Sequence, residues 1–126
     1  MLKAIKSLLK ANSLLIAILI TGLIAYLSLI KTPQLSYNIS NLDKLQHGFA
    51  YFVLTLSWFV VLKKSFLKYR YLVVFSSISY GVFLEILQKA LTSFRTGDVL
   101  DALANSLGVC IALLIFNTIY RKNKGI

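Results

Sequence analysis

Seven polar side chains occur at helical spacing within long apolar stretches of this sequence. They form three sets: Asp43, His47 and Tyr51; Glu85 and Gln88; Asp101 and Asn105. Members of each set lie three or four residues apart, so each set occupies one face of a helix. Polar and ionisable groups at membrane depth are costly and mark functional or helix-pairing positions. We therefore expect the three faces to converge on one polar pocket.

The residue types in this pocket favour proton transfer on a bound substrate. Histidine titrates near neutral pH, so His47 is the candidate proton carrier, oriented by Asp43, with Glu85 as a second catalytic group. The cationic side chains of Lys44 and Arg95 could hold a phosphate or a carboxylate. The other candidate substrate-binding residues are Tyr51, Gln88, Asp98, Asp101 and Asn105.

Two other interpretations of the same residues stay open. The imidazole of His47 and nearby carboxylates would offer one nitrogen and several oxygens to a divalent ion. The available carboxylates are those of Asp43, Glu85, Asp98 and Asp101. No compact ligand motif such as HExxH is present, so the sequence assigns no metal ligand and names no cofactor. Alternatively, the polar groups only lock the helices together, with Asp98 as a helix cap and Asn105 as an interhelical contact.

The elements that position these residues are four apolar runs of about the length of a membrane span. The runs cover residues 13–30, 46–62, 71–91 and 99–120. The chain is 58% hydrophobic and 14% charged, whereas soluble domains carry about 25% charged residues. A helix needs about 20 apolar residues to cross the hydrocarbon core, where the backbone must satisfy its own hydrogen bonds. We expect an all-α integral membrane protein, a bundle of four transmembrane helices in one domain, 1–126.

The distribution of charge predicts how such a bundle is oriented. The net charge is +10, and ten basic residues lie in the N-terminal segment, the middle connector at 63–70 and the C-terminal segment, which contain no acids. Positive charge is retained in the cytoplasm, so both termini should be cytoplasmic and the polar pocket should face outward. The basic residues form short clusters rather than an exposed stripe, which argues against nucleic-acid binding.

Two blocks of residues resemble the VanZ-like family, named for a teicoplanin-resistance protein. Residues 43–51, DKLQHGFAY, are similar to the family pattern D-K-x-x-H-x-x-x-Y. Residues 81–88, GVFLEILQ, and 95–108, RTGDVLDALANSLG, are similar to E-x-x-Q followed by R-x-x-D-x-x-D-x-x-x-N-x-x-G. The blocks together span 43–108, and the first helix matches only in being hydrophobic.

The resemblance implies a multi-pass protein of the bacterial cytoplasmic membrane that is linked to the cell envelope and to teicoplanin susceptibility. It supplies no established reaction. We expect the pocket to bind or modify an envelope component, such as a lipid-linked or peptidoglycan-related molecule. Membrane lipids are the other expected partners, and an oligomer would fit as well. The alternative is a non-catalytic interaction or scaffold subunit.

Overall fold

The described residues of the chain, 1–30, 40–91 and 99–126, form four α-helices in a computed structural model. These are α1 (Leu2–Leu29), α2 (Ser40–Val61), α3 (Phe66–Leu91) and α4 (Val99–Lys124), with a short 3₁₀ turn at Lys63–Ser65 between α2 and α3. No strand occurs in these three ranges. The predicted all-helical class is therefore confirmed.

The helices cover the four apolar runs except for the last residue of the first two, at 30 and 62, and they extend beyond the runs at several other ends. α1 begins at Leu2 rather than at residue 13, and α4 continues to Lys124 rather than stopping at residue 120. A run of apolar residues marks only the part of a helix that can lie in the hydrocarbon core of a membrane. The added segment of α1 is rich in Leu, Ala and Lys, and that of α4 consists mostly of Arg and Lys. These residues are good helix formers, so the backbone stays helical past the apolar boundary.

Within the described ranges, three stretches are long and apolar enough to cross a membrane: Leu2–Leu29, Lys63–Leu91 and Val99–Lys124. These lengths and compositions indicate a membrane protein. α2 is not among them, because its first half carries Lys44, Gln46 and His47. α2 contacts all three other helices, most extensively α4, and its Lys44 and His47 are partly buried while Gln46 is exposed.

The contacts between helices define an up-down-up-down arrangement. Along α2 and α4, Gly48 faces Gly108 near one end, and the rings of Phe59 and Phe116 pack together near the other. These two helices therefore run in the same direction. α3 runs opposite to them, because Glu85, close to its end, faces His47, close to the start of α2.

α1 attaches to the bundle through its second half. The indole Nε1 of Trp58 donates to Thr21 Oγ1 at 3.0 Å, and the hydroxyl of Tyr80 donates to the Thr21 carbonyl oxygen. Near the end of α1, Gln88 Nε2 donates to the carbonyl oxygen of Ser28 at 2.7 Å. These bonds join α1 to α2 and α3 and make it parallel to α3.

The interior of the bundle holds several polar side chains beside its apolar core, and many large apolar side chains face outward. The buried polar residues are Thr55, Ser77, Glu85, Gln88, Asp101 and Asn105. The exposed large apolar residues include Phe75, Phe83, Leu103, Leu107 and Leu114, each more than half accessible. This distribution suits a lipid environment, because apolar side chains can face hydrocarbon whereas ionisable groups must face protein or a water-filled cavity.

Glycines allow α2 and α4 to approach closely. A Cβ atom at Gly108 would collide with the carbonyl oxygen of Gly48 and would lie 3.2 Å from its Cα. A Cβ atom at Gly48 would lie 3.2 Å from the carbonyl oxygen of Ala104. Small residues at helix interfaces permit such backbone contact in membranes. The contact lies one residue from His47, so it sets the local register of α2 against α4.

We expect Gly108→Ala to destabilise the bundle by about 1–3 kcal/mol, because the added methyl group forces two backbones apart. The matched control is Gly22→Ala, since a Cβ there meets nothing within 4 Å. The control should be neutral or slightly stabilising because alanine favours a helix over glycine. Thermal unfolding of the detergent-solubilised proteins measures both, and equal melting temperatures would contradict the prediction.

Candidate functional site

Three helices bring one ionisable side chain each to the same end of the bundle. His47 lies near the start of α2, Glu85 near the end of α3, and Asp101 in the first turn of α4. His47 Nδ1 is 3.8 Å from Glu85 Oε1 and 4.0 Å from Asp101 Oδ2. We call these three residues the His47 cluster. The predicted convergence of polar faces is present for these three residues.

The protein covers most of the His47 cluster but leaves part of the His47 side chain accessible. The side chains of Glu85 and Asp101 are 10% and 11% accessible, and that of His47 is 22% accessible. Both distances from Nδ1 exceed the usual length of an N–H···O hydrogen bond. One ligand atom from each residue lies within 4.8 Å of the other two. The arrangement can therefore pass a proton, pair charges or enclose a cation, and the imidazole is its most accessible part.

A second level of polar and aromatic groups lies one turn deeper. Asn105 follows Asp101 by one turn of α4 and is 2% exposed, and its Oδ1 has no hydrogen-bond partner within the described part of the chain. A Cβ atom at Gly81 would lie 3.3 Å from Asn105 Nδ2 and 3.1 Å from Tyr51 Cε1. Gly81 thus makes room for the Asn105 amide and the Tyr51 ring against α3.

Two of the predicted substrate-binding residues have structural contacts. Tyr51 is 4% exposed and packs with Leu54 and Val109 in an apolar cluster. The side chain of Gln88 is buried and donates from Nε2 to Ser28, which ties the end of α3 to the end of α1. Lys44, one turn before His47, is partly buried.

Three of the predicted site residues have side chains outside the described part of the chain, so the structure gives no distance from them to the His47 cluster. Arg95 and Asp98 lie outside the described residues. Asp43 belongs to the first turn of α2, but its side chain lies outside the described part of the chain. The role of Asp43 in orienting His47, and that of Arg95 in holding an anion, stay predictions.

Two contributors to the site have weak signals in the sequence. Gly48 stands beside His47 and makes the close approach to Gly108, and its only signal is a glycine inside an apolar run. Ser28 contributes a backbone carbonyl oxygen, which its side-chain type cannot reveal.

A separate cleft of about 340 Å³ lies among α1, α2 and α3. Its lining includes Thr21, Leu54, Trp58, Val73 and Ser77. Most of this lining is apolar. On α2, Tyr51 lies between Leu54 of the cleft and His47, so the cleft and the His47 cluster occupy different levels of the bundle.

Comparisons with models of protein families, with curated proteins and with solved structures find no match to this chain. The resemblance to the VanZ-like family therefore stays a prediction from the sequence motifs.

We expect Gln88→Ala to loosen α1, because the mutation removes a buried interhelical hydrogen bond. Such bonds contribute about 0.6–2 kcal/mol within membranes. Gln46→Ala is the matched control, since Gln46 is an exposed glutamine of α2. Hydrogen–deuterium exchange of peptides from α1 should rise in Gln88→Ala and stay unchanged in Gln46→Ala. Unchanged exchange in both variants would contradict this role of Gln88.

Proposed function

We propose that this chain is a VanZ-like protein of the bacterial cytoplasmic membrane whose outward-facing pocket binds or modifies a cell-envelope component. The observation that carries the proposal is the His47 cluster, in which an imidazole lies within 4.0 Å of carboxylates from two other helices. Ionisable groups buried in an apolar bundle are costly and are a functional-site hypothesis by default.

The chemistry of the cluster supports acid–base work on a bound substrate. An imidazole can take up and release a proton near neutral pH, and a neighbouring carboxylate stabilises its charged form. The accessible fraction of the His47 side chain leaves it within reach of a ligand. Glu85 and Asp101 are more buried and would hold the imidazole and its charge.

The substrate class follows from the cationic groups predicted for the pocket. Lys44 stands three residues before His47 on α2, and Arg95 precedes α4 in the sequence. Both suit a phosphate or carboxylate, as carried by a lipid-linked or peptidoglycan-related molecule. The sequence motifs add the link to teicoplanin susceptibility.

The proposed orientation makes α2 a fourth span and puts both termini in the cytoplasm. The support is the distribution of charge. Ten Lys and Arg residues cluster in the two terminal segments and at 63–70, and the four acids lie elsewhere. α2 is less apolar than its neighbours, but its contacts with all three of them would shield Lys44 and His47 from lipid.

An alternative function is a non-catalytic interaction or scaffold subunit. The same distances favour it, because buried ion pairs can fix how helices pack without meeting any ligand. In that case the outer surface would recruit a partner, and conservative changes within the pocket would be silent as long as the fold is kept.

We expect His47→Gln and Glu85→Gln to abolish function, since each removes an ionisable group but retains most of the side-chain volume. In cells that carry the variant in place of the wild-type gene, teicoplanin susceptibility should equal that of cells lacking the gene. Gln46→Ala, on the exposed face of α2, should behave as wild type. Membrane fractions must contain equal amounts of all proteins. Wild-type susceptibility in both pocket variants would refute the proposal and favour the scaffold function.

We expect a fluorescent protein fused to either terminus to fluoresce, because such fusions fold in the cytoplasm. Alkaline phosphatase fused after Ile126 should be inactive, since that enzyme needs the oxidising outer compartment for its disulfides. Active phosphatase at that position would show the opposite orientation and would turn the pocket toward the cytoplasm.

A further inference from the structure

We propose that the His47 cluster binds one divalent transition-metal ion of the Zn²⁺ type, through His47 Nδ1 and one carboxylate oxygen each from Glu85 and Asp101. This inference rests on the proposed function because it uses the same pocket, and it adds the metal ion that the pocket would hold as a cofactor. The inference is drawn from the atoms that the fold brings together. The sequence by itself contains no compact metal-binding motif.

The separations between the three donor atoms fit ligands grouped around a small ion. The two N···O distances are 3.8 and 4.0 Å, and one ligand atom from each residue lies within 4.8 Å of the other two. Ligands bound at about 2.0–2.2 Å in a tetrahedral site lie roughly 3.4 Å apart. The three side chains would need to close by roughly 0.5–1.5 Å, which small torsional adjustments can supply.

The charge of the cluster also favours a bound cation. Two carboxylate groups held this close in a shielded position repel each other when both are ionised. A divalent ion between them offsets that repulsion and lets both stay ionised. Neutral imidazole is the commonest protein ligand for such ions.

Asn105 provides an independent observation. Its side chain is 2% exposed, and within the described ranges its Oδ1 has no hydrogen-bond partner. A buried carbonyl oxygen without a hydrogen bond lowers the stability of the folded protein. It stands on the same face of α4 as Asp101, one turn deeper, so the bundle has an open acceptor at the next level for a water or a ligand that enters with the ion.

The set of donors selects the class of ion. Mg²⁺ demands near-octahedral oxygen ligands and Ca²⁺ takes six to eight oxygens, whereas one imidazole with two carboxylates suits Zn²⁺ and its first-row neighbours. Three protein ligands leave a fourth position open, as in catalytic rather than structural zinc sites. Water or a substrate oxygen would occupy that position.

The test uses full-length protein in detergent, in the Cys110→Ser background and with any histidine tag removed, because an exposed thiol and a tag would both bind zinc. After metal removal, the protein is titrated with Zn²⁺ and with Co²⁺, whose visible absorption reports its ligand geometry. We expect one ion per chain and no competition from millimolar Mg²⁺. The Gln46→Ala control should bind as the background protein does.

His47→Gln and Asp101→Asn should each weaken Zn²⁺ binding by more than about 100-fold, since loss of even an outer partner of a metal ligand costs 10–100-fold. Gel filtration and circular dichroism establish that each variant is folded. The inference is overturned if the background protein binds neither ion, or if both variants bind Zn²⁺ with unchanged affinity.

The two proposals fail in different ways. A background protein that binds no metal, together with loss of function in His47→Gln, removes the ion and leaves a metal-free acid–base pocket. Stoichiometric Zn²⁺ binding, together with unchanged teicoplanin susceptibility in the pocket variants, leaves the metal site and removes the envelope function.

Discussion

The backbone contact between α2 and α4 is the constraint on which the rest of the bundle depends. Gly48 and Gly108 allow these helices to approach more closely than any side chain would permit. That approach fixes the depth and rotation of α2 beside α4, and hence the position of His47 relative to Asp101. Toward the opposite end, the rings of Phe59, Phe66 and Phe116 pack together between the same helices and α3. A glycine contact therefore joins α2 to α4 beside the His47 cluster, and aromatic packing joins them farther along.

Small residues and ionisable residues depend on each other in this arrangement. A carboxylate beside lipid would meet no partner, so Glu85 and Asp101 must point between helices. Small residues keep space open between the helices beside these carboxylates. On α3, one turn from Glu85, Gly81 makes room for the Tyr51 ring and the Asn105 amide. The outward surfaces carry residues such as Phe83 and Leu107, which are suited to hydrocarbon. Polarity toward the centre and apolar groups toward the outside thus follow from one requirement imposed by the bilayer.

The sequence predicted the helical class and the part of the site that depends on spacing along single helices. His47, Glu85 and Asp101 each lie on a small or polar face, and buried polar faces must turn toward one another, so their convergence could be inferred. Spacing does not reveal which neighbour a side chain meets. Gln88 lies one turn from Glu85 yet bonds to a backbone carbonyl of α1, a helix with no polar motif of its own. The sequence also did not predict that α1 begins at Leu2. Hydropathy shows which residues suit the hydrocarbon core, but it does not show where the helical hydrogen bonds begin or end.

Trp58 is the only tryptophan of the chain, and its indole nitrogen bonds to Thr21 of α1 at the border of the cleft. The emission spectrum of an indole depends on the polarity around it and on its hydrogen bonding. The native protein therefore contains a single indole fluorophore, at the junction of α1 with α2, which can be excited selectively beyond the absorption of the seven tyrosines. Movement of α1 away from α2, or entry of a quencher dissolved in the acyl chains, would alter one optical signal without any label being introduced.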